Sequence, residues 1–361
     1  MQSWRLLDLA AYNAYANMAI DEAVLRACIQ QKGSPATIRF YTWVPPAVSI
    51  GRLQKIGGNL DLAQAKELGL DVVRRPTGGR MVLHKGDVTY SLIFTENNPV
   101  IPRGILASYQ KISQAVQRGL WLLGIPAQIS LERKASHSPF CFSGVAKHEI
   151  LVHGKKIIGN AQRREKGACL QQGSMMVEDQ QAVVRRLLSC ARYSSFRQGF
   201  PNPAEGANPA EGANPAENAN LAENANPVSN GNPVDSGRPL DKGILARGAN
   251  LSGEANLAEG LNPAGESNLS ATADPAKGLS RSWALGSNRN GCGMPEFISL
   301  EEVFCSPVAV SLIKEALIRG FEETFHISFT YGSLTDWEEE EAARLIQEKY
   351  SRDLWNKEGH V

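Results

Sequence analysis

The most informative part of this sequence is Arg74-Arg75-Pro76-Thr77-Gly78-Gly79-Arg80, and His84 follows it. It comes directly after an apolar run that is typical of a β-strand. Because glycine has no Cβ and tolerates positive φ, a glycine pair lets the backbone come close to a ligand. The flanking arginines and the histidine can then contact polar atoms of that ligand. The alternative interpretation is a tight turn at the corner of a hairpin, with no role in binding.

Composition excludes several classes of protein. The chain has 361 residues and a formal net charge of +1, so bulk charge gives no reason to expect nucleic-acid binding. The N-terminal segment carries Asp8, Asp21 and Glu22 and has no long uncharged apolar run, which argues against a signal peptide and a membrane span. Its 6 cysteines are scattered, without a Cys-x-x-Cys pair. We expect a soluble, reduced, cytoplasmic protein without a bound metal.

Residues 201–282 differ from the rest of the chain. They contain no aromatic residue, and asparagine recurs every six residues from Asn202 to Asn232. A six-residue period can indicate a parallel β-helix, but proline occupies the position that should point inward, for example at Pro203 and Pro209. The pattern therefore predicts a disordered low-complexity insertion, which a fold tolerates because closing a long loop costs little entropy. It separates a domain over residues 1–200 from its C-terminal part, 283–361.

The remaining sequence predicts an α+β domain. Helical periodicity covers residues 17–31, 62–68, 106–123, 180–190, 308–325 and 336–350, and strand-like runs cover 37–41, 47–50, 88–94 and 169–177. Residues 149–152 and 155–158 form a hairpin pattern around His153-Gly154. We expect a mixed, antiparallel-rich sheet flanked by helices. The C-terminal helices form either a small accessory unit or a layer packed back on the sheet.

Three further groups can carry chemistry: Lys156 in the predicted hairpin, the Gly159-Asn160-Ala161 run after it, and Cys141 before it. Each also has an interpretation without chemistry. A hairpin lysine commonly lies at a solvated edge, and a single cysteine commonly packs as a small buried apolar side chain.

Taken together, these motifs resemble the lipoate/octanoate transfer family, a branch of the biotin–lipoate protein ligase fold. The resemblance covers residues 1–195 and 296–361. The matching segments are Asn17-Met18-Ala19-Ile20-Asp21-Glu22, Ser49-Ile50-Gly51-Arg52-Leu53-Gln54, the stretch from Arg74 to His84, Gly154-Lys155-Lys156-Ile157-Ile158-Gly159-Asn160-Ala161-Gln162, and Glu348-Lys349-Tyr350 with Trp355-Asn356.

Two details within the family favour one branch. Lipoate ligases activate free lipoate with ATP and usually have a third glycine where this chain has Arg80. Octanoyltransferases instead accept the acyl group on a cysteine. Cys141, placed before the lysine hairpin, resembles the nucleophile of octanoyl-[acyl-carrier-protein]:protein N-octanoyltransferases of the Gram-positive type. The residues from Ser143 to Glu149 depart from the usual family pattern.

The resemblance implies two acyl transfers that need no cofactor. Octanoyl-acyl carrier protein would acylate Cys141, and the thioester would pass the octanoyl group to a lysine of a lipoyl-domain protein such as the glycine-cleavage H protein. Lys156 would lie near the acyl carbonyl, either as an ammonium that stabilises negative charge or as an amine that accepts a proton. The resemblance also implies a substrate pocket made by Arg75, Thr77, Gly78, Gly79, Arg80, His84, Gly159, Asn160 and Ala161.

Alternatives remain open at this point. Cys169 is a second possible nucleophile, although a packed strand cysteine also explains it. A transferase that takes octanoyl from the H protein would use the same cysteine chemistry and differ in its donor. An ATP-dependent lipoate ligase would need no cysteine at all. A non-catalytic binding protein would have a degenerate site, which intact Lys156, Gly78-Gly79 and Cys141 argue against.

Overall fold

The computed structural model describes residues 2–30, 35–56, 60–132, 145–188 and 297–359, and all of them belong to one compact unit. The predicted insertion over 201–282 and Cys141 lie outside the described residues. The predicted domain boundaries therefore stay predictions. In the part of the chain that is described, no helix is long and apolar enough to cross a membrane.

A six-stranded mixed sheet forms the centre of the unit. Its order is β10 (Ile158–Glu165), β11 (Ala168–Met176), β6 (Asp87–Thr95), β2 (Thr37–Trp43), β1 (Gln2–Tyr12) and β12 (Ile327–Gly332). The pairs from β10 to β2 are antiparallel, whereas β1 is parallel to both β2 and β12. The predicted mixed, antiparallel-rich sheet is confirmed.

Two three-stranded sheets lie beside the main sheet. The first has β3 (Ala47–Ile50) between β4 (Asp71–Arg74) and β5 (Val82–His84). The second joins β7 (Gln128–Ile129), β8 (Ile150–Val152) and β9 (Lys155–Lys156). Strands β8 and β9 are the predicted hairpin, and Ile157 separates β9 from β10 of the main sheet.

Helices pack on both faces of the main sheet and on the small sheet around β3. The helices of the described residues are α1 (Ala14–Gln30), α2 (Leu62–Glu67), α3 (Ile105–Leu122), α4 (Gln181–Leu187), α5 (Leu300–Phe304), α6 (Val310–Phe325) and α7 (Asp336–Leu345), of which α2 and α4 contact the small sheet. One core joins α3 and α6 to the sheet through Ile112, Phe321 and Tyr90. A second core joins α1 and α7 to the opposite face through Ile20, Leu345 and Leu170. The C-terminal helices thus pack back on the domain, which was one of the two alternatives.

Two short π-helical segments, Ile346–Tyr350 and Leu354–Glu358, continue the chain after α7. They place Tyr350 and Trp355 in the core around α1. In this way residues from the far end of the sequence contact the first helix and the arginine stretch described next.

Candidate active site

The glycine stretch is a crossover connection and not a hairpin turn. Strand β3 is parallel to β4 and antiparallel to β5, so residues 75–81 pass over the end of β3. Gly51, directly after β3, lies beneath this connection, and a Cβ there would overlap the carbonyl oxygen of Gly79. The hairpin interpretation is therefore wrong. The glycines instead allow two backbone segments to touch.

Arg74 serves the fold. Its side chain is buried, its Nη1 lies 2.9 Å from the carbonyl oxygen of Gly51 and 2.7 Å from that of Gln54, and its Nε donates to the carbonyl of Trp355. The Trp355 indole in turn donates to the carbonyl of Arg74. These bonds fasten the second π-helical segment and the loop after β3 to β4.

Arg75 folds the glycine turn around its guanidinium. Nη2 lies 2.6 Å from the carbonyl oxygen of Gly78 and 2.7 Å from that of Arg80, while Nη1 donates to the backbone and the hydroxyl of Ser49. Gly79 has a φ of +88°, which a side chain would strain. Arg75 therefore sets the shape of the turn as well as lining the pocket beside it.

A pocket lies between the glycine connection and the main sheet, with about 360 Å³ of empty volume when the space open to solvent is included. Predicted residues that line it are Arg75, His84, Gly159, Asn160 and Ala161. Thr77 reaches it indirectly, by donating to Gln172, which lines the wall. Gly78, Gly79 and Arg80 are not among the described residues that line the pocket. Their substrate-binding role stays a prediction.

His84 is a fixed part of the pocket wall. Its Nδ1 lies 2.8 Å from Asp87 Oδ2, its Nε2 lies 2.8 Å from the hydroxyl oxygen of Ser49, and its ring stacks on Trp43 at 3.9 Å. Asp87 thus faces Nδ1 of the ring, and the Ser49 hydroxyl faces Nε2. The imidazole is therefore locked in one orientation by Ser49, Asp87 and Trp43.

Asp21 supports the pocket from below, and sequence reasoning assigned it no part of the site. Its carboxylate is fully buried on α1 and accepts hydrogen bonds from Arg39, Tyr41, Ser91 and Gln172. In the sequence, the one sign that Asp21 is buried is that an acidic residue stands among the apolar residues of α1. The Asp21 carboxylate thus holds Gln172, whose amide oxygen accepts from the Thr77 hydroxyl.

Lys156 is a buried residue, so the solvated-edge interpretation is wrong. Its side chain is 1% exposed, and Nζ lies 2.6 Å from Oε1 of Glu149. Lys156 is not among the described residues that line the pocket. It precedes the pocket-lining Gly159 along the chain, with Ile157 and Ile158 between them.

Among the cysteines, Cys141 is outside the described residues, so the structure does not place the predicted nucleophile. Cys169 is fully buried within β11, and burial raises its pKa to about 12. A thiol with so high a pKa is a poor source of thiolate at neutral pH. This favours packing for Cys169. No group of His, Cys, Asp and Glu side chains suited to a metal occurs among the residues described.

The first π-helical segment adds a buried ion pair near the site. Lys349 Nζ lies 2.7 Å from Glu22 Oε2, and the Tyr350 hydroxyl donates to the same oxygen. Burial raises the pKa of the Glu22 carboxyl. The charge of Lys349, the hydrogen bonds from Lys349 and Tyr350 and the charge of Arg26 together outweigh it, and the pKa falls to about 2.

This shift predicts a loss of stability in acid. Because the pKa of Glu22 lies near 2 in the folded chain and near its ordinary value of 4.5 in the unfolded chain, its contribution is complete above about pH 5 and disappears towards pH 2. The contribution is on the order of 3 kcal/mol. We expect the Tm difference between the wild type and Glu22→Gln to shrink as pH falls through this range. A difference that stays constant between pH 7 and pH 3 would contradict the assignment.

The comparisons with known proteins agree with this architecture. Residues 13–205 match the family model described as the lipoyl protein ligase A/B catalytic domain. The chain is 42% identical over 180 residues to octanoyltransferase LipM of Moorella thermoacetica, covering 49% of this chain and 66% of that protein. It is 39% identical over 199 residues to octanoyltransferase LipM of Carboxydothermus hydrogenoformans, covering 55% and 72%.

Solved structures show the same fold. A lipoate-protein ligase A bound with ATP is 22% identical, with a TM-score of 0.61 and coverage of 99% of both chains. The T. acidophilum protein Ta0514, a putative lipoate protein ligase, is also 22% identical with a TM-score of 0.61, covering 99% of this chain and 100% of that one.

These matches confirm the predicted fold and the predicted relationship to octanoyltransferases, a class of acyltransferases. The alignment spans about two thirds of the length of the Moorella relative. The family model covers more than half of this chain. The chain therefore belongs to the lipoyl protein ligase A/B catalytic domain family.

Proposed function

We propose that this protein transfers an octanoyl group from octanoyl-acyl carrier protein to a lysine of a lipoyl-domain protein, such as the glycine-cleavage H protein, through a thioester on Cys141. Its similarity to proteins named octanoyltransferases supports the class of reaction. The observation that carries the proposal is the buried Lys156, which precedes the pocket-lining Gly159 along the chain with two residues between them. A buried lysine near a pocket is a strong candidate for stabilising charge during acyl transfer.

The proposed first step exchanges one thioester for another. The Cys141 thiolate attacks the carbonyl carbon of the donor, a new carbon–sulfur bond forms, and the bond to the carrier sulfur breaks. The carrier thiolate leaves and takes up a proton from solvent. Because one thioester replaces another, the free energy changes little and the step needs no ATP.

The proposed second step forms an amide. The neutral amine of the acceptor lysine attacks the Cys141 thioester, a carbon–nitrogen bond forms, and the Cys141 thiolate leaves. The amine gives up a proton, which restores the thiol or passes to solvent. In both steps the carbonyl oxygen gains negative charge, and a nearby ammonium at Lys156 lowers the energy of that state.

The pocket fits an acyl chain in its placement and in its chemistry. The side chains of Trp43, Met18 and Val82 offer apolar surface, and the polar groups of Ser49, His84 and Gln172 in the wall are hydrogen-bonded to protein groups. Among the described lining side chains, the amide nitrogen of Asn160 is buried and makes no hydrogen bond to the protein. An aliphatic chain that ends in a polar carbonyl group would match this combination.

The test compares three donors with the purified full chain and a lipoyl-domain acceptor: octanoyl-acyl carrier protein, octanoyl-H protein, and octanoate with ATP. We expect carrier-bound octanoate to be consumed without ATP, and digestion of the trapped protein to give an octanoyl thioester on the peptide that contains Cys141. Cys141→Ser should form no thioester, whereas Cys169→Ser should acylate as the wild type does.

Other results would identify the alternatives. Preference for octanoyl-H protein would indicate the related transferase. ATP-dependent transfer that survives in Cys141→Ser would indicate a ligase. A label on Cys169, or full activity of Cys141→Ser, would refute the proposed nucleophile.

A further inference from the structure

Glu149 has both carboxylate oxygens engaged. Oε1 lies 2.6 Å from Lys156 Nζ, and Oε2 accepts the backbone N–H of Ala146 at 2.8 Å. The side chains of Glu149 and Lys156 are 6% and 1% exposed. The carboxylate therefore cannot rotate away from the lysine without losing a second hydrogen bond.

The backbone around Glu149 is also tied down. The N–H of His148 donates to the carbonyl of Ser130 at 2.8 Å, and the N–H of Ser130 donates to the carbonyl of Glu149 at 2.8 Å. His148 has a φ of +67°, a conformation that side chains adopt at a cost. These bonds extend the β7–β8 pairing up to Glu149. The acceptor for Lys156 is thus held by main-chain structure and not by a flexible loop.

Besides Glu149, the described elements next to Lys156 carry four titratable residues that bear on its charge, namely His148, Lys155, Glu301 and Glu302. His148 adjoins Glu149, and burial together with the charge of Lys147 lowers the pKa of its imidazole, which favours the uncharged ring. Lys155 precedes Lys156 and points to the opposite face of β9. Glu301 and Glu302 lie in α5, which follows Phe297, whose backbone pairs with that of Lys156. Glu149 forms an ion pair with Lys156.

Burial and charge act in opposite directions on Lys156. Removing an ammonium from water favours the neutral amine, whereas a carboxylate at hydrogen-bond distance favours the ammonium. Breaking such a buried pair leaves one charge uncompensated, which is strongly unfavourable. Without the carboxylate, the charged form of Lys156 loses the contact that offsets its burial.

We propose that Glu149 is a positioning residue that holds Lys156 as an oriented ammonium, so that Lys156 stabilises the acyl oxyanion and does not act as a base. This inference rests on the proposed octanoyl transfer. An ammonium has three N–H groups, and the bond to Glu149 fixes the direction of one of them. A base would need a neutral Lys156, which the adjacent carboxylate opposes.

The test uses Glu149→Gln, which keeps the shape and removes the charge, and Glu149→Asp, which keeps the charge. We measure the pH dependence of acyl-enzyme formation from octanoyl-acyl carrier protein. Glu149→Gln should lose about 10-fold in rate at pH 8, and its decline at high pH should begin about one pH unit or more below that of the wild type. KM for the donor should change little, and Glu149→Asp should recover part of the rate.

A surface ion pair provides the matched control. Lys85 and Glu178 lie 3.8 Å apart, and both side chains are close to half exposed. Glu178→Gln should keep the wild-type pH profile and rate. A Glu149→Gln profile identical to that of the wild type, or a rate that rises with the loss of the carboxylate, would overturn the inference.

A second readout does not depend on activity. The ¹⁵N NMR signal of the Lys156 side chain, assigned with Lys156→Arg, is followed through a pH titration of the full chain. The wild-type signal should remain that of an ammonium well above neutral pH, and in Glu149→Gln it should titrate at lower pH. A neutral Lys156 in the wild type at pH 7 would overturn the inference. The same ammonium signal without any octanoyl transfer would instead refute the proposed function.

Discussion

A Gly51→Ala variant is expected to lose about 3 kcal/mol of unfolding free energy, at the upper end of what overpacking costs. The added Cβ would overlap the carbonyl oxygen of Gly79, which is backbone and cannot rotate away as a side chain can. Either β3 or the glycine connection must therefore move. For a domain of this size the change corresponds to a fall in Tm on the order of 10 °C.

The same substitution should also disturb the pocket. The Gly79 segment is held by Arg75, whose guanidinium lines the pocket and bonds to Ser49 and the Gly78 carbonyl. A shift of the connection would move Arg75 and, through Ser49, the His84 ring. Octanoyl transfer should therefore fall more steeply than the folded fraction does.

Gly78→Ala is the matched control, since a Cβ at Gly78 would meet no atom within 4 Å. Its Tm should stay close to that of the wild type. If Gly78→Ala folds normally and yet transfers poorly, the ligand itself approaches Gly78, as the resemblance predicts. An unchanged Tm for Gly51→Ala, measured beside this control, would show that the connection is flexible enough to absorb the added methyl group.

Local features of the sequence predicted much of the fold. Asp61 caps α2 through the N–H of Gln64, as its placement before residues 62–68 indicates. The His153-Gly154 turn joins β8 to β9, as the hairpin pattern predicts. In these cases a few neighbouring residues are enough to predict the structure, because capping and turn geometry depend on the local backbone.

Long-range pairing was not predictable in the same way. Strands β1 and β12 were not predicted, and they pair with each other although more than 300 residues separate them along the chain. The adjacent Arg74 and Arg75 look alike in sequence, but one clamps the C-terminal segment and the other closes the glycine turn. Their roles depend on groups that only the folded chain brings near.

The candidate site shows the same division. The sequence indicated His84, Gly159, Asn160 and Ala161, which line the pocket. It did not indicate that the hairpin residue Lys156 is buried, because periodicity along two short strands does not show which face another segment covers. Here Phe297, distant in sequence, pairs with the Lys156 backbone. Lys156 is therefore buried next to a segment that lies far away in the sequence.

Asp21→Asn should lower the unfolding free energy by about 3–5 kcal/mol, because it breaks a buried ion pair. The Asp21 carboxylate is fully buried, and its closest ionic partner is Arg39, whose Nη1 lies 2.8 Å from Oδ1. An asparagine would leave the Arg39 guanidinium without a compensating charge. Its amide N–H groups would also face donors, because Tyr41 and Gln172 both donate to Oδ2.

The same change reaches the pocket through Gln172. The Gln172 amide donates to Asp21 and accepts from Thr77, so it is fixed between α1 and the glycine connection. Loss of the carboxylate frees this side chain, which lines the pocket, and the apparent KM for the acyl donor should rise in the fraction that still folds.

Asp8→Asn supplies the control for charge alone. Asp8 lies 2.6 Å from Lys314 Nζ, but its side chain is 52% exposed, and solvent screens such a pair. We expect Asp8→Asn to change the unfolding free energy by less than about 1 kcal/mol. Urea denaturation of both variants measures the difference directly. If Asp21→Asn were as mild as Asp8→Asn, the buried network around Asp21 would not be what holds α1 and the pocket wall together, and Arg39 would have found another acceptor.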